Sequence, residues 1–128
     1  MSNKELLLKD LCSRLPYGVI CQVTLKTSNG KSTTGNYKLV NGMLNDYWIE
    51  YNELKPYLRP LTSMTKDELD ELYSLRTSIS KIYKDVLVAD AYIVIDWLNE
   101  RHFDYRGLIP KNLAIAITKD NDPYKANN

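Results

Sequence analysis

The chain has 128 residues, 44% of them hydrophobic and 26% charged, a balance that supports one domain with its own core and excludes general disorder. Against 17 basic side chains stand 16 acidic ones, a formal net charge of +1, which excludes a strong overall field toward nucleic acid or an anionic membrane. Two cysteines and one histidine cannot supply the four ligands of a Cys/His zinc site, and they give no disulfide framework.

In chain order, Ser2 and Glu5 have the spacing of a capping box, so a helix is predicted over residues 3–15. Leu8, Leu11, Cys12 and Leu15 form its expected apolar stripe, Lys9, Asp10, Ser13 and Arg14 occupy the other side, and Pro16 stops it. Leu6-Leu7-Leu8 is too short for the apolar segment of a signal peptide, and no run approaches the ~20 apolar residues that span a bilayer. A cytoplasmic location is therefore expected. From Val19 the period becomes two, with Val19, Cys21, Val23 and Leu25 on one face. Asn29-Gly30 predicts a hairpin turn into a second strand within Lys31–Val40, and Asn41-Gly42 predicts a further turn. Tyr47-Trp48-Ile49-Glu50-Tyr51 reads as a third strand, which makes the sheet an antiparallel meander.

Leu54–Leu61 carries Pro56 and Pro60 and reads as a structured connector. Thr65 and Glu68 repeat the capping-box spacing and open a second helix whose apolar positions include Leu69, Leu72, Tyr73 and Leu75. Residues 77–89 suit either a continued helix or a short strand at Val86-Leu87-Val88. A helix over Asp90–Arg101 with Ala91, Val94, Ile95 and Leu98 as its stripe follows, then a short strand over Leu113–Thr118. The expected fold is α+β: a short antiparallel sheet against two or three helices, in one domain over residues 1–118. A polar tail over 119–128 is expected to fray.

Each chemically suggestive motif has a structural reading that outweighs it. Gly30-Lys31-Ser32-Thr33 resembles the end of a phosphate-binding loop, but the first glycine of that motif would fall on Leu25 and no helix follows. His102 and Asp104 lack a third ligand nearby. His102 is expected to meet orphan carbonyls at the helix end, with Asp104 and Arg106 organising a turn at Gly107. Cys12 lies on the expected stripe, where a thiol is packed and inert. Asp67, Glu68, Asp70 and Glu71 sit in the first turns of a helix and complement its dipole. No catalytic residue, cofactor or metal is expected. The unusual feature is 10 tyrosines against one phenylalanine. Tyrosine pairs apolar area with a hydrogen-bonding tip, so Tyr47, Trp48, Tyr51 and Tyr57 beside Arg59 form a candidate interface.

Two segments, Leu54-Lys-Pro-Tyr-Leu-Arg-Pro-Leu-Thr-Ser-Met-Thr65 and Asp96-Trp-Leu-Asn99 continuing through His102-Phe-Asp-Tyr-Arg-Gly-Leu-Ile109, resemble a family of small proteins of gut Bacteroidales and their phages. Residues 6–18 fit that pattern, whereas Leu113–Asn128 departs from it. The resemblance implies a phage or prophage setting and brings no activity with it. It also suggests that Pro56, Pro60 and the Asp104–Gly107 turn pack together, with Arg59 or Arg106 bonding carbonyls or a carboxylate. The expected function is that of a non-enzymatic phage or prophage accessory protein that binds a host or phage protein. A homo-oligomerising virion component and a nucleic-acid binder are the alternatives, and no membrane partner is expected.

Overall fold

In the computed structural model, residues 1–82 and 87–125 are described, with the side chains of residues 46, 47 and 76–91 excepted. Helix α1 (Asn3–Arg14) begins where Ser2 Oγ accepts the Glu5 N–H at 3.1 Å. Its inward face is not the expected stripe. Leu7, Asp10, Leu11 and Arg14 are buried, while Cys12 is exposed. The inward face is turned by one position because Asp10 and Arg14, four apart, satisfy each other inside the fold and so can accompany Leu7 and Leu11.

Strands β1 (Ile20–Lys26) and β2 (Ser32–Lys38) form the expected hairpin, with Gly30 at φ +81° in the turn. The third strand lies elsewhere than expected. Tyr47–Tyr51 belongs to a short helix, α2 (Asp46–Tyr51), because Asn45 caps it: its Oδ1 accepts the Trp48 N–H at 2.7 Å. Asn52 closes the other end, its side-chain amide donating to the Trp48 carbonyl at 3.2 Å. These end caps outweigh the strand preference of the aromatic residues between them.

The segment read as a connector supplies β3 (Glu53–Leu58), which pairs antiparallel with β1 and parallel with β4 (Ile115–Ala116). The order is β2-β1-β3-β4, so the sheet is mixed and is not a meander. Pro56 fits because it stands at a changeover: the β1 ladder ends at Cys21–Pro56, and the β4 ladder begins at Tyr57–Ile115. Leu7 and Leu11 of α1 pack with Val19, Cys21, Val23, Leu54 and Leu58 from the sheet, and Leu108 and Ala114 close this core.

Helices α3 (Lys66–Ile82) and α4 (Leu87–Glu100) pack on each other around Trp97, Leu98 and Phe103, with Met64, Leu72, Leu75 and Val94 at the edge. The capping box opening α3 is present: Glu68 Oε1 accepts the Thr65 N–H at 3.0 Å and Thr65 Oγ1 accepts the Glu68 N–H at 3.2 Å. Residues 77–82 and 87–89 are helical, so Leu87-Val88 is not a strand; Val86 lies outside the described residues. The architecture is α+β.

The tail over 119–128 is expected to fray; residues 119–125 instead fold back onto the sheet, and 126–128 lie outside the described residues. Pro123 is buried, and Tyr124 reaches back between β1 and β3. Its hydroxyl accepts the Ile20 N–H and donates to the Tyr57 carbonyl, each at 2.9 Å. Ile20–Tyr57 is where the next rung of the β1–β3 ladder would fall, so one side-chain oxygen takes the place of that rung.

Candidate functional site

The ionisable residues singled out after α4 gather in a buried hub. The helix ends in a Schellman motif: the His102 N–H donates to the Asn99 carbonyl at 3.1 Å and the Phe103 N–H to the Leu98 carbonyl at 2.9 Å. His102 occupies the left-handed position at φ +62°, where glycine is usual. Its ring does not meet the helix carbonyls as expected. It stacks on Tyr124 instead, with centroids 4.0 Å apart and planes 9° from parallel. Burial holds the imidazole neutral, its pKa lowered to about 4.

Beyond His102 the chain runs alongside β3. The Arg59 N–H donates to the His102 carbonyl at 2.7 Å, and the Asp104 N–H donates to the Arg59 carbonyl at 2.9 Å. The buried Asp104 carboxylate accepts the N–H groups of Leu108 and Ile109 at 2.8 and 2.9 Å, organising the expected turn through Gly107 at φ +74°. Asp10 binds Arg14 Nε at 2.7 Å and Arg106 Nη1 at 3.3 Å. Arg14 Nη2 donates to the Phe103 carbonyl at 2.6 Å. The Tyr105 ring lies between the two guanidiniums, 5.0 Å from Arg14 and 4.9 Å from Arg106.

Arg59 sits against the other side of this segment, stacked 4.1 Å from the Phe103 ring and bonded to both Glu68 oxygens at 2.6 and 2.7 Å. That pairing lowers the Glu68 pKa to about 2. Both arginines therefore do find carboxylates, Arg59 on α3 and Arg106 on α1, from opposite sides of residues 102–106. The spacing of Asp10 and Arg14 held a signal that went unread: an acid and a base four apart on a helix that must bury a face.

The hub's carboxylates are spent on guanidiniums and backbone amides, and its imidazole is stacked and neutral, while Arg14 Nη1 and His102 Nδ1 are buried without a hydrogen-bond partner. Cys21 is buried, which pushes its thiol up to about 12. Among the described residues no group of three or more His, Cys, Asp or Glu side chains is placed to hold a metal ion. A cavity of about 520 Å³ beside the hub is lined by Arg59, Ser63, Thr118, Lys119, Asp122 and Lys125. Its arginine is already committed to Glu68.

The proposed Tyr-rich cluster does not form one surface. Tyr57 is buried at 3% exposure, its hydroxyl donating to Asn36 Oδ1 at 2.9 Å. Trp48 is half-buried against the core and Arg59 is engaged as above. Tyr51 is exposed, and the Tyr47 side chain lies outside the described residues. The cause is β3: a strand in the middle of a sheet carries Tyr57 inward, and Arg59, just beyond its end, turns to Glu68.

What lies open is an edge of the sheet. β2 pairs with β1 alone, and six of its seven residues are exposed. Tyr37 and Val40 add apolar area there at 45% and 53% exposure. The other edge, β4, has two residues. Short strands, lysines, proline, bulges or a covering loop usually blunt an edge; β2 ends in one lysine, Lys38, but has no proline, and its register with β1 runs without a bulge from Ser32 to Lys38. No helix among the described residues is long and apolar enough to cross a membrane. Comparison with protein-family models, curated proteins and solved structures yields no match.

Proposed function

We propose that the chain is a non-enzymatic accessory protein that acts by binding another protein, in the phage or prophage setting to which its resemblance points. The single observation that carries this reading is the open β2 edge, seven residues long and exposed on both faces. Backbone groups at such an edge are ready partners for another chain. The hub adds support, since its carboxylates, Asp10 and Asp104, are consumed in holding the fold.

The test is capture by the tagged chain from a lysate of a gut Bacteroidales strain, with and without nuclease, read by mass spectrometry. A protein retained at near-stoichiometric yield after nuclease is the expected result. Retention that disappears with nuclease assigns the chain to nucleic acid instead. Recovery of the chain alone, as a stable oligomer, leaves the virion-component reading in its place.

A further inference from the structure

Which backbone groups face outward from β2 follows from two hydrogen bonds of the hairpin. The Leu39 N–H donates to the Val19 carbonyl and the Thr27 N–H to the Lys31 carbonyl, both at 2.9 Å. Hydrogen-bonded pairs alternate along an antiparallel ladder. Tyr37, Gly35 and Thr33 therefore bond inward to β1, whereas Ser32, Thr34, Asn36 and Lys38 direct their N–H and C=O groups away from it.

The charge along the hairpin has one sign. From Leu11 to Asn45 there is no aspartate or glutamate, while Lys26, Lys31 and Lys38 lie on or beside the hairpin. The nearest carboxylate along the sheet, Glu53, faces Thr24 from β3, two strands in from the edge, and lies 3.4 Å from Lys55. Two strand spacings are about 10 Å, roughly one screening length at physiological salt.

We propose that β2 takes up an extended acidic peptide segment, which adds a strand beside Ser32–Lys38 and sets its carboxylates against Lys31 and Lys38. This rests on the protein-binding reading above and names the chemistry of the partner. A second copy of the chain fits less well, because pairing two β2 edges brings lysines together with no acid between them. A nucleic acid fits less well too: phosphates accept hydrogen bonds but donate none, so the outward carbonyls would stay unpaired. Tyr37, the aromatic residue on this strand, folds its ring over Gly35, where an added Cβ would meet it at 3.0 Å, and so offers no row of stacking platforms.

The experiment titrates a fluorescein-labelled peptide of alternating glutamate and threonine, long enough to span β2, into the full chain, with amide NMR in parallel. Binding that weakens with salt, with exchange protection at Thr34, Asn36 and Lys38 and little change at Thr33, Gly35 and Tyr37, is expected. Replacing glutamate by glutamine should weaken it about fivefold, the joint effect of two exposed ion pairs. N-methylation of the peptide amides that face β2 should abolish it. Thr34→Pro removes an outward N–H that the β1 ladder does not use, and should also weaken binding about tenfold. The double variant K31E/K38E should prefer a lysine–threonine peptide.

Equal binding of the N-methylated peptide, or shifts away from β2, overturns the proposal. So does tighter binding of an oligothymidylate, or protection of the same amides on self-association without peptide. If K31E/K38E still captures its protein from lysate while the acidic peptide fails to bind, the peptide chemistry is wrong and the binder reading stands. Failure of both capture and peptide binding removes both.

Discussion

Asp10→Ala should be among the most damaging single substitutions in the protein. The side chains of Asp10 and Arg14 are fully buried, and the carboxylate is the ionic partner of Arg14 at 2.7 Å and of Arg106 at 3.3 Å. Truncation leaves the Arg14 guanidinium inside the fold with the Phe103 carbonyl as its remaining hydrogen-bond acceptor. Breaking a buried pair from one side costs about 3–5 kcal/mol, against a total of roughly 5–15 kcal/mol for a domain. In urea the midpoint should fall by about 2 M at an unchanged slope. Asp10→Asn keeps an acceptor and should lose less. Asp10→Leu combined with Arg14→Met should be less damaging than Asp10→Ala alone, because it removes both charges, at a cost of about 1–3 kcal/mol for the Phe103 carbonyl left unpaired. A loss under about 1 kcal/mol for Asp10→Ala would refute the reasoning, because a pair that matters so little cannot be taking the place of apolar packing on α1.

Three other outcomes are expected. Ellman's reagent should titrate the exposed Cys12 in the folded protein and reach Cys21 only after unfolding; rapid native reaction of both thiols would contradict the buried position of Cys21. Tyr124→Phe leaves the Ile20 N–H and the Tyr57 carbonyl without their shared partner and should cost about 1–3 kcal/mol; hydrogen exchange at the Ile20 amide should accelerate, and an unchanged rate would show that the hydroxyl is not its protection. The folded-state pKa of His102 is about 4, below the usual 6.5, so its contribution is complete above about pH 6.5 and is lost as pH falls toward 4. His102→Asn, which tolerates the left-handed backbone, should flatten thermal stability across that window; an unaltered profile would mean that His102 does not titrate with unfolding.

The parts of the fold that could be read from the chain were those whose signal is local. Asn29-Gly30 and the Thr65–Glu68 box each act within a few residues, and each forms as expected. Errors arose where a distant partner changed the meaning of a residue. Pro56 argued against a strand until its position between two ladders was known. Asp10 and Arg14 looked like solvent-facing residues, because polarity was weighed without the partner that makes burial tolerable. Tyr57 and Arg59 looked like interface residues because composition does not reveal strand order. The β2 edge was hidden for the same reason: Ser32–Lys38 has little apolar content, and pairing order alone makes it an edge.

The Tyr124 hydroxyl gives the fold a particular order of assembly during synthesis. The Ile20 amide and its partner oxygen are 104 residues apart, roughly 5–20 s of translation at ordinary elongation rates. Over that interval β1 has left the ribosome while the oxygen that completes its junction with β3 has yet to be made. The sheet must wait with a gap between its two central strands, and a nascent chain arrested before residue 124 should be more open to protease there than the released protein.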